Sequence, residues 1–180
     1  MILVGIGANV PGPFGRSPLQ MARWAAIQLD RLPAIQLRGL SRWYESEPLP
    51  PSGQPRYVNA VAHLAIAAGG AEPDAADLLA WLQRIEARAG RVRGERNAAR
   101  TLDLDIIAMG PRGQTTRATP DPILPHPRAH QRAFVLMPLS ELAPRWVHPV
   151  LCQSAKELLA ALPPRGILPL EPDKNQPALC

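Results

Sequence analysis

Several things are scarce in this sequence of 180 residues, and each scarcity narrows the reading. Cysteine occurs twice, as Cys152 and Cys180, far apart and late in the chain. Such a pair supports neither a disulfide framework nor a zinc site. Long apolar runs are missing: no stretch of about 18 apolar residues occurs, so no membrane-spanning helix is expected. The first residues, Met1-Ile2-Leu3-Val4-Gly5-Ile6-Gly7, have no basic leader and too short an apolar run for a signal peptide; they read as a first strand, and the chain is expected to be cytoplasmic. Aromatic residues make up only 4%. Lysine is almost absent: eighteen of the 20 basic residues are arginine, the exceptions being Lys156 and Lys174. A phosphate-binding loop of the Walker type is missing too, because Gly5-x-Gly7 has no third glycine and no Lys-Ser/Thr ending. If a nucleotide is used, its phosphates must be held by arginines and metal.

What is present suits one soluble globular domain. A chain of this length matches the usual size of a single domain and buries about 70% of its unfolded surface. Hydrophobic residues are 46%, the net charge is +5 and the isoelectric point is about 10.0. Arginine matches phosphate oxygens through its planar fork of donors, and a basic chain also admits nucleic acid as a partner. The 22 prolines cluster at 48–55, 120–127 and 163–177. They mark three loops, the last a loose tail, so residues 1–162 are read as the domain and 163–180 as its proline-rich tail.

Periodicity gives the order of elements. A β-type run over 2–7 is followed by Ser17-Pro18, an N-cap with proline at the first helical position, and apolar residues at helical spacing from Leu19 to Leu32. An irregular strand spans 35–43, a proline-rich loop 45–56, and an alternating strand 57–66. The clearest helix is 74–89, closed by Gly90. A basic loop covers 91–100 and the most strand-like segment 101–109. Short helices are expected at 134–142 and 154–162. The order β-α-β-β-α-β with C-terminal helical and loop additions is the α+β ferredoxin-like arrangement: an antiparallel sheet with two helices on one face.

The sharpest chemical feature is Thr101-Leu102-Asp103-Leu104-Asp105-Ile106-Ile107. Residues two apart on a strand share a face, so Asp103 and Asp105 stand about 6.6 Å apart along the chain while Leu102, Leu104 and Ile106 turn to the core. Neighbouring carboxylates on an otherwise apolar strand repel unless a cation sits between them. Hard oxygen ligands of this type suit Mg²⁺, which takes one or two carboxylates plus substrate phosphates. A solvent-facing alternation on an edge strand explains the pair equally well by itself. Arg91, Arg93, Arg96 and Arg100 just upstream tip the balance toward phosphoryl transfer, since carboxylates beside arginines make such a site. Pro125-His126-Pro127 with Arg132 and Phe134 forms a second cluster, although a lone histidine is more often structural. Tyr57 and Asn59 share a strand face and suit a flat heteroaromatic ring; a plain cross-strand pair is the alternative.

Together these residues resemble the 6-hydroxymethyl-7,8-dihydropterin pyrophosphokinase family. The matching strings are Gly7-Ala8-Asn9, Ser46-Glu47-Pro48-Leu49, Gln54-Pro55-Arg56-Tyr57-Val58-Asn59-Ala60, Gln83-Arg84-Ile85-Glu86, Gly90-Arg91-Val92-Arg93, the string from Arg100 to Ile106, Pro125-His126, and Arg132-Ala133-Phe134. The resemblance implies transfer of the β,γ-diphosphate of ATP to the pterin hydroxymethyl group with release of AMP, and two Mg²⁺ ions. It implies that Asp103 and Asp105 hold the metal and that Arg91 and Arg100 stabilise the moving diphosphate, with Asp105 a candidate proton acceptor. It puts Glu86, Arg93, His126 and Arg132 on the ATP side. Tyr57 and Phe134 would sandwich the pterin, Asn59 would bond its edge, and Ser46, Leu49 and Asn97 would complete that pocket. The chain differs from some members at Asn97, where a tryptophan can occur, and at Ala8, Glu47, Gly94 and Pro127. Two other classes compete: a basic nucleic-acid-binding module, disfavoured by the few aromatics, and a pterin-binding relative without activity. The expected partners are small molecules, with no nucleic acid and no membrane, and the expected state is a monomer.

Overall fold

The computed structural model describes residues 1–92, 98–164 and 166–171. Six strands form one antiparallel sheet: β1 (Ile2–Ala8), β2 (Ile35–Leu40), β3 (Tyr44–Ser46), β4 (Tyr57–Ile66), β5 (Asp103–Ala108) and β6 (Leu168–Pro169). The order across it is β5-β1-β4-β3-β6, and β2 also pairs with β4 beyond β3. The helices are α1 (Pro18–Leu29), α2 (Ala75–Arg88), α3 (Ala133–Leu142) and α4 (Ala155–Ala160). The ferredoxin-like βαββαβ core is therefore present.

Local chemistry explains the boundaries. Ser17 and Gln20 form a reciprocal capping box at the start of α1, with Pro18 at its first position. Asp74 caps α2 by accepting from the Ala76 amide. The irregular strand expected at 35–43 is β2, which ends at Leu40, and β3 begins beyond it at Tyr44. A register shift lies between Leu37 and Gly39, and the ladder then breaks at Ser41, whose amide donates to the Val61 carbonyl while its hydroxyl accepts from the Val61 amide. The side chain thus stands in for a missing backbone acceptor. Glu45 and Ser46, expected in a loop, lie in β3, because they pair with Val58 and Tyr57 of the long strand β4. The stretch expected as a loose tail includes β6, which pairs with β3; residues 165 and 172–180 lie outside the described residues.

Strand alternation sorts the core into two halves. Ile2, Val4 and Ile6 of β1, Val58, Ala62 and Leu64 of β4, and Leu104 and Ile106 of β5 pack under α1 and α2. Leu3, Val61 and Ile107 face the other way and pack under α3 and α4. The C-terminal helices are thus a second layer, leaving the sheet buried between helices. That layer covers only one end of its face. At the other end the sheet carries polar residues and an open cavity.

Candidate active site

The polar end of that face is built from three adjacent strands in register. Gly7 of β1 lies between Asn59 of β4 and Asp103 of β5, and Gly5 stands opposite Asp105. The two aspartates, Asn59, Tyr57 and the two glycines therefore share one face. The glycines form its floor. A Cβ on Gly7 would stand 3.7 Å from the Asp103 Cβ and 3.8 Å from the Asn59 Oδ1, ordinary contacts that the backbone would accept. What their missing side chains provide is depth. Above them is a cavity of about 290 Å³, lined by Ser46, Leu49, Gln54, Tyr57 and Asn59 and by Arg100, Asp103, Asp105, His126, Arg132 and Phe134. That volume is at the small end for ligand sites.

The carboxylates are held by arginines. Asp103 accepts from Arg91 at 2.6 Å and from Arg100 at 3.0 Å, one on each oxygen. Asp105 has Arg132 Nη1 at 3.5 Å and His126 Nε2 at 3.6 Å from its Oδ2. The Asp105 side chain is 41% exposed toward the cavity. The surrounding protein still desolvates it, and with Asp103 nearby this pushes its carboxyl above the usual range. Among the described residues no three His, Cys, Asp or Glu side chains converge as a metal cage. A divalent cation here would take two carboxylates from the protein and its other ligands from phosphate and water, as Mg²⁺ does. The donor set fits, and a cation would relieve the repulsion that raises Asp105.

His126 is fixed from behind. Its amide donates to the Ile107 carbonyl of β5, and its Nδ1 accepts from the Arg128 amide. In the neutral ring the proton then sits on Nε2, facing Asp105. Burial lowers its pKa, against the opposing pull of Asp105. Phe134 lies in the first turn of α3, where the Arg132 guanidinium stands 5.6 Å from its ring centre. Tyr57 is half-buried, and burial raises its pKa. Asn59 is buried and donates to the Ser46 hydroxyl at 3.0 Å and the Tyr57 carbonyl at 3.2 Å. Carbonyls only accept, so Nδ2 is turned inward to them.

Two expected residues stand behind the cavity. Glu86, buried in the last turns of α2, accepts from the Leu104 amide at 2.8 Å and from Arg91. Its carboxyl is raised, chiefly by burial, with the Leu104 amide and Arg91 opposing. Neither Glu86 nor Arg91 is among the described residues lining the cavity; both support Asp103 from below. Arg93 and Asn97 lie outside the described residues. Sequence reasoning gave no role to Gly5, Gly7 or Gln54. Gly5 and Gly7 share parity with the aspartates once β1 pairs with β5, and that pairing was not visible in the chain.

An acidic pair flanked by arginines, beside an aromatic and amide-lined recess, defines a class: a transferase that moves a phosphate-bearing group onto a flat cyclic acceptor. Comparison with known proteins gives the particular family. The sequence model of the 7,8-dihydro-6-hydroxymethylpterin-pyrophosphokinase (HPPK) family matches residues 3–144. The chain is 41% identical over 166 residues to a Pseudomonas aeruginosa 2-amino-4-hydroxy-6-hydroxymethyldihydropteridine pyrophosphokinase, covering 92% of this chain and 94% of that protein. A Haemophilus influenzae protein of the same name is 38% identical over 147 residues, covering 81% and 83%. Among solved structures, a Plasmodium falciparum HPPK-DHPS aligns with a TM-score of 0.60 at 10% identity, over 88% of this chain and 43% of that one, a likeness of fold. The chain belongs to the HPPK family. It is an enzyme that transfers a pyrophosphoryl group to 6-hydroxymethyl-7,8-dihydropterin in folate biosynthesis.

Proposed function

We propose that the cavity over Gly5 and Gly7 is where this transfer occurs, with the β,γ-diphosphate of ATP as the donor. The observation that carries this reading is the shared face: Asp103 stands across Gly7 from Asn59, Asp105 and Tyr57 lie on the same face, and Arg100 and Arg132 line the cavity with them. Tyr57 and Phe134 hold the pterin ring between them, Asn59 bonds its edge, and Ser46 and Leu49 complete the wall. Arg132 and His126 bind on the nucleotide side, and Arg93 and Asn97 are assigned to the ATP and pterin sides by family position. Asp103 and Asp105 hold two Mg²⁺ ions. Bound there, the metal supplies neutralisation of phosphate charge and orientation of the phosphate oxygens.

The chain's own groups do the rest. The hydroxymethyl oxygen attacks the β-phosphorus; the bond from that phosphorus to the bridging oxygen breaks, and AMP leaves carrying that oxygen. Asp105 accepts the hydroxyl proton, a role open to a carboxylate that lines the cavity. Arg100, lining the cavity, bears on the moving diphosphate. Arg91 acts through Asp103, which it grips from behind, and Glu86 holds Arg91 there. Residues 1–162 act as one domain, to which β6 adds an edge strand by pairing with β3. The working state in this reading is a monomer, and an ATP-dependent reaction suits the cytoplasm. Among the described residues no helix is long and apolar enough to cross a membrane.

The test is to identify the nucleotide product. Protein, ATP, Mg²⁺ and 6-hydroxymethyl-7,8-dihydropterin are expected to give AMP and a diphosphorylated pterin. ADP would overturn attack at the β-phosphorus, and turnover undiminished by EDTA would overturn the metal assignment.

A further inference from the structure

Asn9 follows β1 directly, is 1% exposed, and is not among the described residues lining the cavity. Every polar atom of its carboxamide is nevertheless used. Its Oδ1 accepts from the Arg100 amide at 2.8 Å. Its Nδ2 donates to the Gln54 Oε1 and to the Pro55 carbonyl, each at 3.2 Å. These partners fix the amide's orientation, because a main-chain N–H only donates and a carbonyl only accepts. The main chain repeats the connection on one side: the Asn9 and Val10 amides both donate to the Arg100 carbonyl, at 3.1 and 3.4 Å.

The two sets of partners belong to different parts of the site. Arg100 reaches Asp103 at 3.0 Å, on the phosphate side. Gln54 lines the cavity and accepts from the Tyr57 hydroxyl at 3.4 Å, on the pterin side. One buried carboxamide therefore spans the approach to β5 and the proline-rich segment 48–55. A group that only needed to be satisfied would do so with any partners at hand. Asn9 instead joins the backbones that carry contacts to the two substrates.

We propose that Asn9 is a positioning residue that couples the two halves of the site, so that ordering of the Gln54–Pro55 wall by the pterin is felt at Arg100, and the converse. This rests on the assignment of substrates made above. Coupling of this kind is reciprocal and is read as a ratio of affinities.

The experiment measures pterin binding by calorimetry with Mg²⁺, without and with an ATP analogue carrying a methylene between the α and β phosphorus atoms. Two variants are compared with the wild type. Asn9→Asp keeps an acceptor for the Arg100 amide and sets an oxygen against the Pro55 carbonyl. Gln54→Ala removes the acceptor shared by Asn9 Nδ2 and the Tyr57 hydroxyl and leaves the buried Asn9 in place. The wild-type ratio is expected on the usual scale of roughly 5- to 150-fold, and both variants bring it to within about threefold of unity. The analogue alone keeps its affinity to within about threefold in each. An unchanged ratio in the folded variants overturns the proposal, as does a loss of both affinities with the ratio kept, which is what a merely structural residue would give. A readout without ligand accompanies it: hydrogen exchange at the Arg100 amide, expected to quicken in Gln54→Ala although the lost bond is on the other side of Asn9. If the wild type binds no pterin, the substrate assignment fails, and the Arg100 exchange still decides whether Asn9 transmits.

Discussion

Asp105 stands under opposing influences. Burial and the neighbouring Asp103 favour its protonated form, while His126 and Arg132 favour the charged one, and the first pair wins. A cation at the pair would reverse that balance. Asp105→Ala is therefore expected to lower turnover by at least about a hundredfold and to weaken Mg·ATP binding in a calorimetric titration; near-normal rates would sink the metal assignment. Phe134 tests the other half of the cavity. Stacking of a flat ring on an aromatic side chain contributes about 1–3 kcal/mol, so Phe134→Ala should weaken pterin binding roughly 5- to 150-fold with ATP-analogue affinity held. Unchanged pterin affinity would mean that the ring binds elsewhere. At this scale the aspartates were legible because a period of two needs no tertiary information. Arg91 and Glu86 were legible as participants but not as supports, since their depth depends on how α2 packs against β5.

Among the elements, the end of α2 shows how a turn aims a functional group. Gly90 adopts a left-handed conformation at φ +76°, its amide donates to Ala87 and the next amide, of Arg91, returns to Glu86. That closure turns Arg91 back beside Glu86 and Asp103. Gly90→Ala puts a Cβ 3.0 Å from Pro13 as well as straining the backbone; we expect a loss of about 1 kcal/mol in urea unfolding, with a fall in activity as Arg91 shifts. The segment between α3 and α4 holds a pH-sensitive contact. His148 is buried and its Nδ1 accepts from the Val150 and Leu151 amides. Burial first, then His130, lowers its pKa from 6.5. Between that lowered value and 6.5 the unfolded chain binds a proton that the folded one does not, so stability is full above pH 6.5 and declines as pH falls below it. His148→Asn keeps an acceptor without the titration. Its melting temperature should fall less than the wild type's between neutral and mildly acid pH, and equal slopes would assign the acid sensitivity to other groups. Most helices were readable from caps and periodicity. β3 and β6 were not, because strands of two or three residues exist only through the neighbours they pair with.

For the molecule as a whole, the second helical layer is the feature that turns a sheet into a site. Leu139 of α3 is fully buried against the face opposite α1 and α2. Leu139→Ala should cost about 2–5 kcal/mol and, because the same helix begins with Arg132 and Phe134, lower pterin affinity in the protein that remains folded. Full affinity there would show that the site is held without this layer. Composition, alternation and capping residues by themselves determined a β-α-β-β-α-β chain, a paired carboxylate strand and a flanking set of arginines, because these are set by spacings of two to four residues. The tertiary structure alone decided that Gly5 and Gly7 lie beneath the carboxylates, that Asn59 stands across from them, and that Asn9 meets both Arg100 and Gln54. Those contacts join residues tens of positions apart, and only the antiparallel register of β5, β1 and β4 brings them onto one face.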